Sequence, residues 1–257
     1  VKVFVTGASS GLGEALALEY ARRAPGATIG MAARRADALD ALASRIGTTA
    51  AAVPYVLDVC DRAALHAAGR DFVARFGAPD VVIANAGMNG PTYTGVPGDD
   101  ANFEHILHTN VVGVFDTFAA FLPAMRERGT GTLAGIASVA GIRGMPSLGG
   151  YNASKAAVIS YCESLRLELK STGLRVCTIA PGYIRTPMTA RNRYRMPFLM
   201  EADAFAERAA DAIARGRSFT VIPWQMGWVA RVLRVLPDPL FDAAFARAPH
   251  KPRTPST

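Results

Sequence analysis

Cysteine and histidine are scarce, three and four in 257 residues. Cys60, Cys162 and Cys177 lie far apart, without the spacing of a disulfide framework, so reduced thiols are expected. No grouping of cysteine and histidine has ligand spacing, and no metal is expected. Long apolar runs are also missing. Half of the residues are hydrophobic and the mean hydropathy is +0.18. Yet no run of eighteen apolar residues free of charge occurs, so no membrane-spanning helix is expected. Charged residues amount to 19%, with a net charge of +7. The excess is arginine scattered along the chain without a binding motif, which argues against nucleic acid as a partner. A basic pocket mouth that attracts a phosphorylated small molecule is the better use of it. No secretory or targeting pattern opens the sequence, and a cytoplasmic location is expected. No linker, repeat or low-complexity segment divides residues 1–257, which read as one domain.

What is present is an alternation. Short apolar runs at 2–6, 27–33, 51–57, 80–84, 131–138, 174–180 and 219–222 have β character. Between them, 12–23, 37–46, 63–76, 103–128 and 153–170 show helical periodicity. Strands apolar throughout are buried on both faces, and strand–helix–strand crossovers make the sheet parallel. The predicted fold class is α/β: a doubly wound parallel sheet of Rossmann type, about seven strands with helices on both faces. The proline-rich end, 250–257, is expected to fray.

Ligands in such sheets bind beyond the carboxyl ends of the strands. The first run enters Thr6-Gly7-Ala8-Ser9-Ser10-Gly11-Leu12-Gly13 and then a helix. Glycines let the backbone turn sharply and approach a pyrophosphate, whose charge a helix N-terminus stabilises. An ordinary strand–helix turn has the same look when taken alone. The second run ends Ala33-Arg34-Arg35. An NAD site wants a carboxylate there for the adenosine ribose, whereas an NADP site wants cations for the 2′-phosphate. With Ala33 in the acid's place, Arg34 and Arg35 point to NADP(H). Asp58 and Val59 end the third run and suit an adenine edge. Asn85, Ala86 and Gly87 make a tight turn after the fourth.

Tyr151 and Lys155 stand four residues apart at the opening of a helix, hence on one face. An ammonium near a phenol favours phenolate and lowers the tyrosine pKa, as a general acid/base requires. Ser138, thirteen residues before Tyr151, closes the fifth run, where its hydroxyl can polarise a carbonyl. Asn110 sits inside an otherwise apolar helical stretch. Either a satisfied buried amide or a local distortion accounts for it.

Taken together, these residues resemble the short-chain dehydrogenase/reductase family. The match runs in the family's order from Thr6–Gly13 through Asp58, Asn85–Gly87, Asn110, Ser138, Tyr151 and Lys155 to Pro181-Gly182-Tyr183-Ile184-Arg185-Thr186. The resemblance implies hydride transfer between NADP(H) and a ketone, aldehyde or secondary alcohol, with Asn110, Ser138, Tyr151 and Lys155 as the catalytic tetrad. In that reading Tyr151 is the acid/base and Lys155 tunes it and holds the nicotinamide ribose. Ser138 orients the substrate oxygen, and the Asn110 carbonyl positions a water. The cofactor set is Gly7, Ser9, Ser10, Gly11, Leu12, Gly13, Arg34, Arg35, Asp58, Val59, Asn85, Ala86, Gly87, Tyr151, Lys155, Pro181, Gly182, Ile184 and Thr186. A homodimer or homotetramer pairing through helices 103–128 and 153–170 is implied as well.

Residues 187–218 are expected to form a substrate lid, with Met188, Met196, Phe198 and Met200 shaping an apolar pocket. Arg191, Arg193 and Arg195 there can meet an anion. Residues 224–257 make a variable extension. Within it, Trp228, Val229, Val232, Leu233 and Leu236 fall on one helical face, expected to pack, to join subunits or to touch a membrane surface. Two other readings stay open: a reductase of long-chain keto-lipids at a membrane, and a non-catalytic nucleotide-binding protein of the same fold.

Overall fold

The computed structural model describes residues 1–190, 192 and 195–246. The apolar runs become strands β1 (Lys2–Thr6), β2 (Thr28–Ala33), β3 (Ala51–Val56), β4 (Val81–Ala84), β5 (Gly131–Ile136) and β6 (Leu174–Pro181). Two short strands follow, β7 (Ile184–Arg185) and β8 (Met200–Glu201), and then β9 (Phe219–Ile222). One parallel sheet takes seven of these in the order β3-β2-β1-β4-β5-β6-β9. The direction of winding reverses between β1 and β4, which leaves a crevice at their carboxyl ends. The helices are α1 (Gly11–Arg23), α2 (Ala36–Ile46), α3 (Arg62–Phe76), α4 (Asp99–Leu107), α5 (Gly113–Arg128), α6 (Gly149–Glu168), α7 (Ala202–Ala214), α8 (Trp224–Val235) and α9 (Asp238–Phe245).

Two apolar layers sandwich the sheet. On one side Leu16, Leu39, Phe205 and Ile213 meet Val3, Val5 and Ile29. On the other, Phe72, Phe118, Phe121 and Val158 meet Phe4 and Leu133. The Phe4 ring lies 4.5 Å from that of Phe121 and 5.6 Å from that of Phe72. Burial on both faces holds for the inner strands but not the edges. β3 exposes Val56 and β9 exposes Phe219, because an edge strand has one neighbour and incomplete helix cover.

Three segments depart from expectation. The predicted helix 103–128 starts earlier, at Asp99, and is interrupted by a π-turn over His108–Val112. Asn110 lies in that turn, the local distortion its presence suggested. Within the stretch 187–218, α7 buries Phe205, Ala206, Ala209 and Ile213 against α1, a helix absent from the periodic segments read in the sequence. Arg191, Arg193 and Tyr194 lie outside the described residues, as does the proline-rich end. Finally, α8 packs through Met226 and Ala230, while Trp228 and Val232 stand in solvent. The helix is apolar on two faces, and the Trp228/Val232 face is the one not packed within the chain.

Candidate active site

The loop after β1 is held by short polar ties. Thr6 Oγ1 accepts from the Asn85 and Ala86 amides at 3.1 and 3.2 Å, and Asn85 Nδ2 donates to the Thr6 carbonyl at 2.9 Å. Asn85 thus joins the end of β4 to the glycine loop. Gly7 turns with φ +69°, and a Cβ on Gly13 would stand 2.3 Å from the Gly7 carbonyl oxygen. Only glycine allows that approach. Ser10 precedes α1 without capping it through its side chain, so the first-turn amides of α1 remain donors for an anion.

A crevice of about 480 Å³ opens there. It brings together all the predicted cofactor residues except Gly13, which is buried in α1, together with Ser138, Tyr151 and Lys155. Asn110 is set behind it, fully buried. Its Oδ1 accepts from the Met88 amide at 2.8 Å, and its Nδ2 donates to the Met88 carbonyl and to Ser154 Oγ, both at 2.9 Å. Every polar atom of the amide is satisfied. Ser154 Oγ in turn donates to the Tyr151 carbonyl at 2.7 Å, which links the π-turn to the helix that carries Tyr151.

At the adenine end, Arg35 Nη2 donates to the Ser9 carbonyl at 2.9 Å, and Arg34 lies 3.6 Å from Asp58. Burial acts to raise the Asp58 carboxyl, but the Cys60 amide and Arg34 outweigh it and hold the group below its usual range. At the other end, Lys155 is buried, its Nζ donating to the Ile136 carbonyl at 2.8 Å and lying 5.9 Å from the centre of the Tyr151 ring. Burial draws its pKa down to about 8. The Tyr151 phenol does not follow the lowering expected from its lysine neighbour. Burial pushes it up from 10.0, and the Ser138 hydroxyl offsets only part of this. Desolvation of the phenolate outweighs the lysine because the ammonium is directed at Ile136.

Met188, named for the apolar pocket, lines the crevice; Met88, His105, Thr109 and Thr189 line it too and were not predicted. Met88 follows Gly87 directly, and Thr189 follows Thr186 closely, so extending each motif would have reached them. His105 comes from α4 by tertiary packing alone.

The residues present fit a nicotinamide dinucleotide: a glycine cradle, free helix amides for the pyrophosphate, polar groups at the adenine end and a Tyr–Lys–Ser set at the other. Fold and site together define a dinucleotide-binding oxidoreductase. The chain belongs to the short chain dehydrogenase family, whose sequence profile matches residues 2–196. It is 42% identical to an uncharacterized oxidoreductase of Myxococcus xanthus over 245 residues, 95% of both chains. It is 34% identical to the 3-oxoacyl-[acyl-carrier-protein] reductase of Thermotoga maritima over 188 residues, 73% of this chain and 75% of that one. Among solved structures, an alcohol dehydrogenase of Thermococcus sibiricus complexed with 5-hydroxy-NADP superposes with a TM-score of 0.75 at 25% identity, covering 86% of this chain and 95% of that one.

Proposed function

We propose that this protein is an NADP(H)-dependent oxidoreductase that interconverts apolar ketones or aldehydes and the corresponding alcohols, with Tyr151 as proton donor and acceptor. The observation that carries the reading is the pairing of ends. The half-buried Tyr151 and the buried Lys155 and Ser138 share one crevice with Arg34 and Arg35. The bound cofactor supplies or accepts the hydride. Ser138 donates a hydrogen bond to the substrate oxygen and orients the carbonyl. Tyr151, held neutral by burial, gives its phenolic proton to that oxygen as the C–O bond becomes an alcohol. Lys155 holds the ribose and draws a proton toward Tyr151 from solvent, with the Asn110 carbonyl fixing the water between.

Arg34 is 70% exposed and its Asp58 contact is long, so its guanidinium is available to a 2′-phosphate. Met88 and Met188 give the substrate end an adaptable apolar wall. The name of the Thermotoga relative suggests 3-oxoacyl compounds as the first carbonyls to try. Phe115 and Leu167, on α5 and α6, are 50% and 60% exposed, which supports subunit pairing through those helices.

The test is a panel from short aldehydes to long-chain 3-oxoacyl thioesters, followed by NADPH and NADH consumption, with Tyr151→Phe alongside. Turnover with NADPH that falls by several orders of magnitude in Tyr151→Phe, cofactor binding persisting, is the expected result. Near-normal turnover in that variant, or equal use of NADH by the parent, would sink the corresponding half of the proposal.

A further inference from the structure

Helix α8 turns two apolar faces in opposite directions. Met226 and Ala230 lie beneath it, against the body of the protein. Trp224, Trp228, Val232 and Val235 point away, 64%, 59%, 56% and 80% exposed. So continuous a strip of large apolar side chains is uncommon on a surface that meets only water.

Beside this strip runs an open groove of about 840 Å³ between α7, β9 and α8. Arg166, Arg208, Arg215, Arg217, Arg231 and Arg234 line it, with Glu163 and Asp211 as its acidic residues. Asp211 is already engaged by Arg23 and Arg215. Among the described residues, the other five arginines of the groove have no ion-pair partner. Arg231 lies over the Trp228 ring at 4.9 Å, so the cationic and apolar parts form one surface.

The charge decides what this face meets. A second copy laid on it by two-fold symmetry would set arginines against arginines in a partly desolvated interface, which is repulsive. An uncharged apolar partner would leave the guanidinium groups without counter-charges. We propose that this face docks the protein on an anionic lipid surface. Tryptophan rings sit at the headgroup level of a bilayer, valines reach the acyl boundary, and arginines pair with lipid phosphates. The docking surface is separate from the crevice, so its test needs no turnover.

Trp224 and Trp228 are the two tryptophans of the chain, so intrinsic fluorescence reads this helix alone. The full chain is mixed with vesicles of phosphatidylcholine, or of phosphatidylcholine with phosphatidylglycerol, and followed by sedimentation and emission. Co-sedimentation with the anionic vesicles and a blue-shifted emission are expected, both reversed by salt. The double variant Arg231→Glu/Arg234→Glu should bind them at least about tenfold more weakly. Trp224→Ser/Trp228→Ser should sediment less with them at an unchanged melting temperature. Equal binding to both vesicle types, no binding to either, or a charge reversal that alters only the oligomeric mass would overturn the proposal. Salt-sensitive capture by an acidic protein without vesicle binding would overturn it too.

Discussion

The ammonium of Lys155 is buried, and its pKa falls from 10.5 to about 8. A lowered base costs the folded state stability wherever the group is charged. Below about pH 8 both folded and unfolded chains hold the proton, and the whole penalty, about 3 kcal/mol at ~1.4 kcal/mol per unit, is present. Between about 8 and 10.5 the unfolded chain keeps a proton that the folded chain has released, so this contribution improves as pH rises. Lys155→Met removes the penalty but deprives the Ile136 carbonyl of its donor. The expected signature is therefore a difference. Relative to the parent, the variant should lose about 3 kcal/mol of unfolding free energy between pH 7 and about pH 11, measured by urea titration. Its turnover should be close to nil throughout. A parent–variant difference that is flat with pH would show that the lysine is not desolvated. At the other end, Arg34→Ala/Arg35→Ala combined with Ala33→Asp exchanges the cations proposed to meet a 2′-phosphate for a ribose acceptor. The proposed NADPH preference, as the ratio of kcat/KM values, should drop by roughly 2–4 kcal/mol. An unchanged ratio would move the selecting contact elsewhere.

Among the elements, the π-turn His108–Val112 connects the most parts of the site. Asn110 there clamps Met88 with two hydrogen bonds and reaches Ser154 with a third. Asn110→Leu strips all three while keeping the branched shape, and deprives the half-buried backbone groups of Met88 of these partners. We expect a loss of about 2–4 kcal/mol of stability by thermal unfolding, with turnover falling further than the stability loss explains. A variant as stable as the parent would show that water replaces the amide. This element was half legible in the sequence. An asparagine in an apolar helix announced a distortion, but not its partners, which lie 22 and 44 residues away. The strands were legible because a parallel sheet demands apolar runs, and the glycine loop because backbone must approach backbone. Helix α7 was passed over although Phe205, Ala206, Ala209 and Ile213 follow helical spacing. The Tyr151 acidity was also misjudged. Spacing puts Lys155 one turn away, but where its ammonium points and how dry the phenol is are set by the packed fold.

At the scale of the whole molecule, the carboxyl-terminal helices belong to the body that shapes the crevice. A Cβ on Gly182 would stand 2.6 Å from Met226 Cγ, so the side chain of α8 presses on the turn that borders the cofactor end. Arg143, on the segment after Ser138, donates to the Leu236 carbonyl at 3.1 Å, pairs with Asp238 and lies 4.2 Å over the Phe241 ring. The α8–α9 junction is thus tied to the same segment as Ser138. Two substitutions on one helix separate its two faces. Met226→Ala opens a void beneath Gly182 and should cost roughly 2–4 kcal/mol of stability. It should also weaken NADPH binding several-fold by fluorescence titration, because the Pro181–Gly182 turn loses its backing. Trp228→Ser, on the exposed face, should change stability by less than about 1 kcal/mol and leave NADPH binding unaltered. Packing of the Trp228 face against the body, one of the arrangements its periodicity allows, would order the two variants the other way. If Trp228→Ser proves the more damaging, α8 is rotated about its axis relative to the arrangement described, and the arginine-lined groove loses its apolar edge.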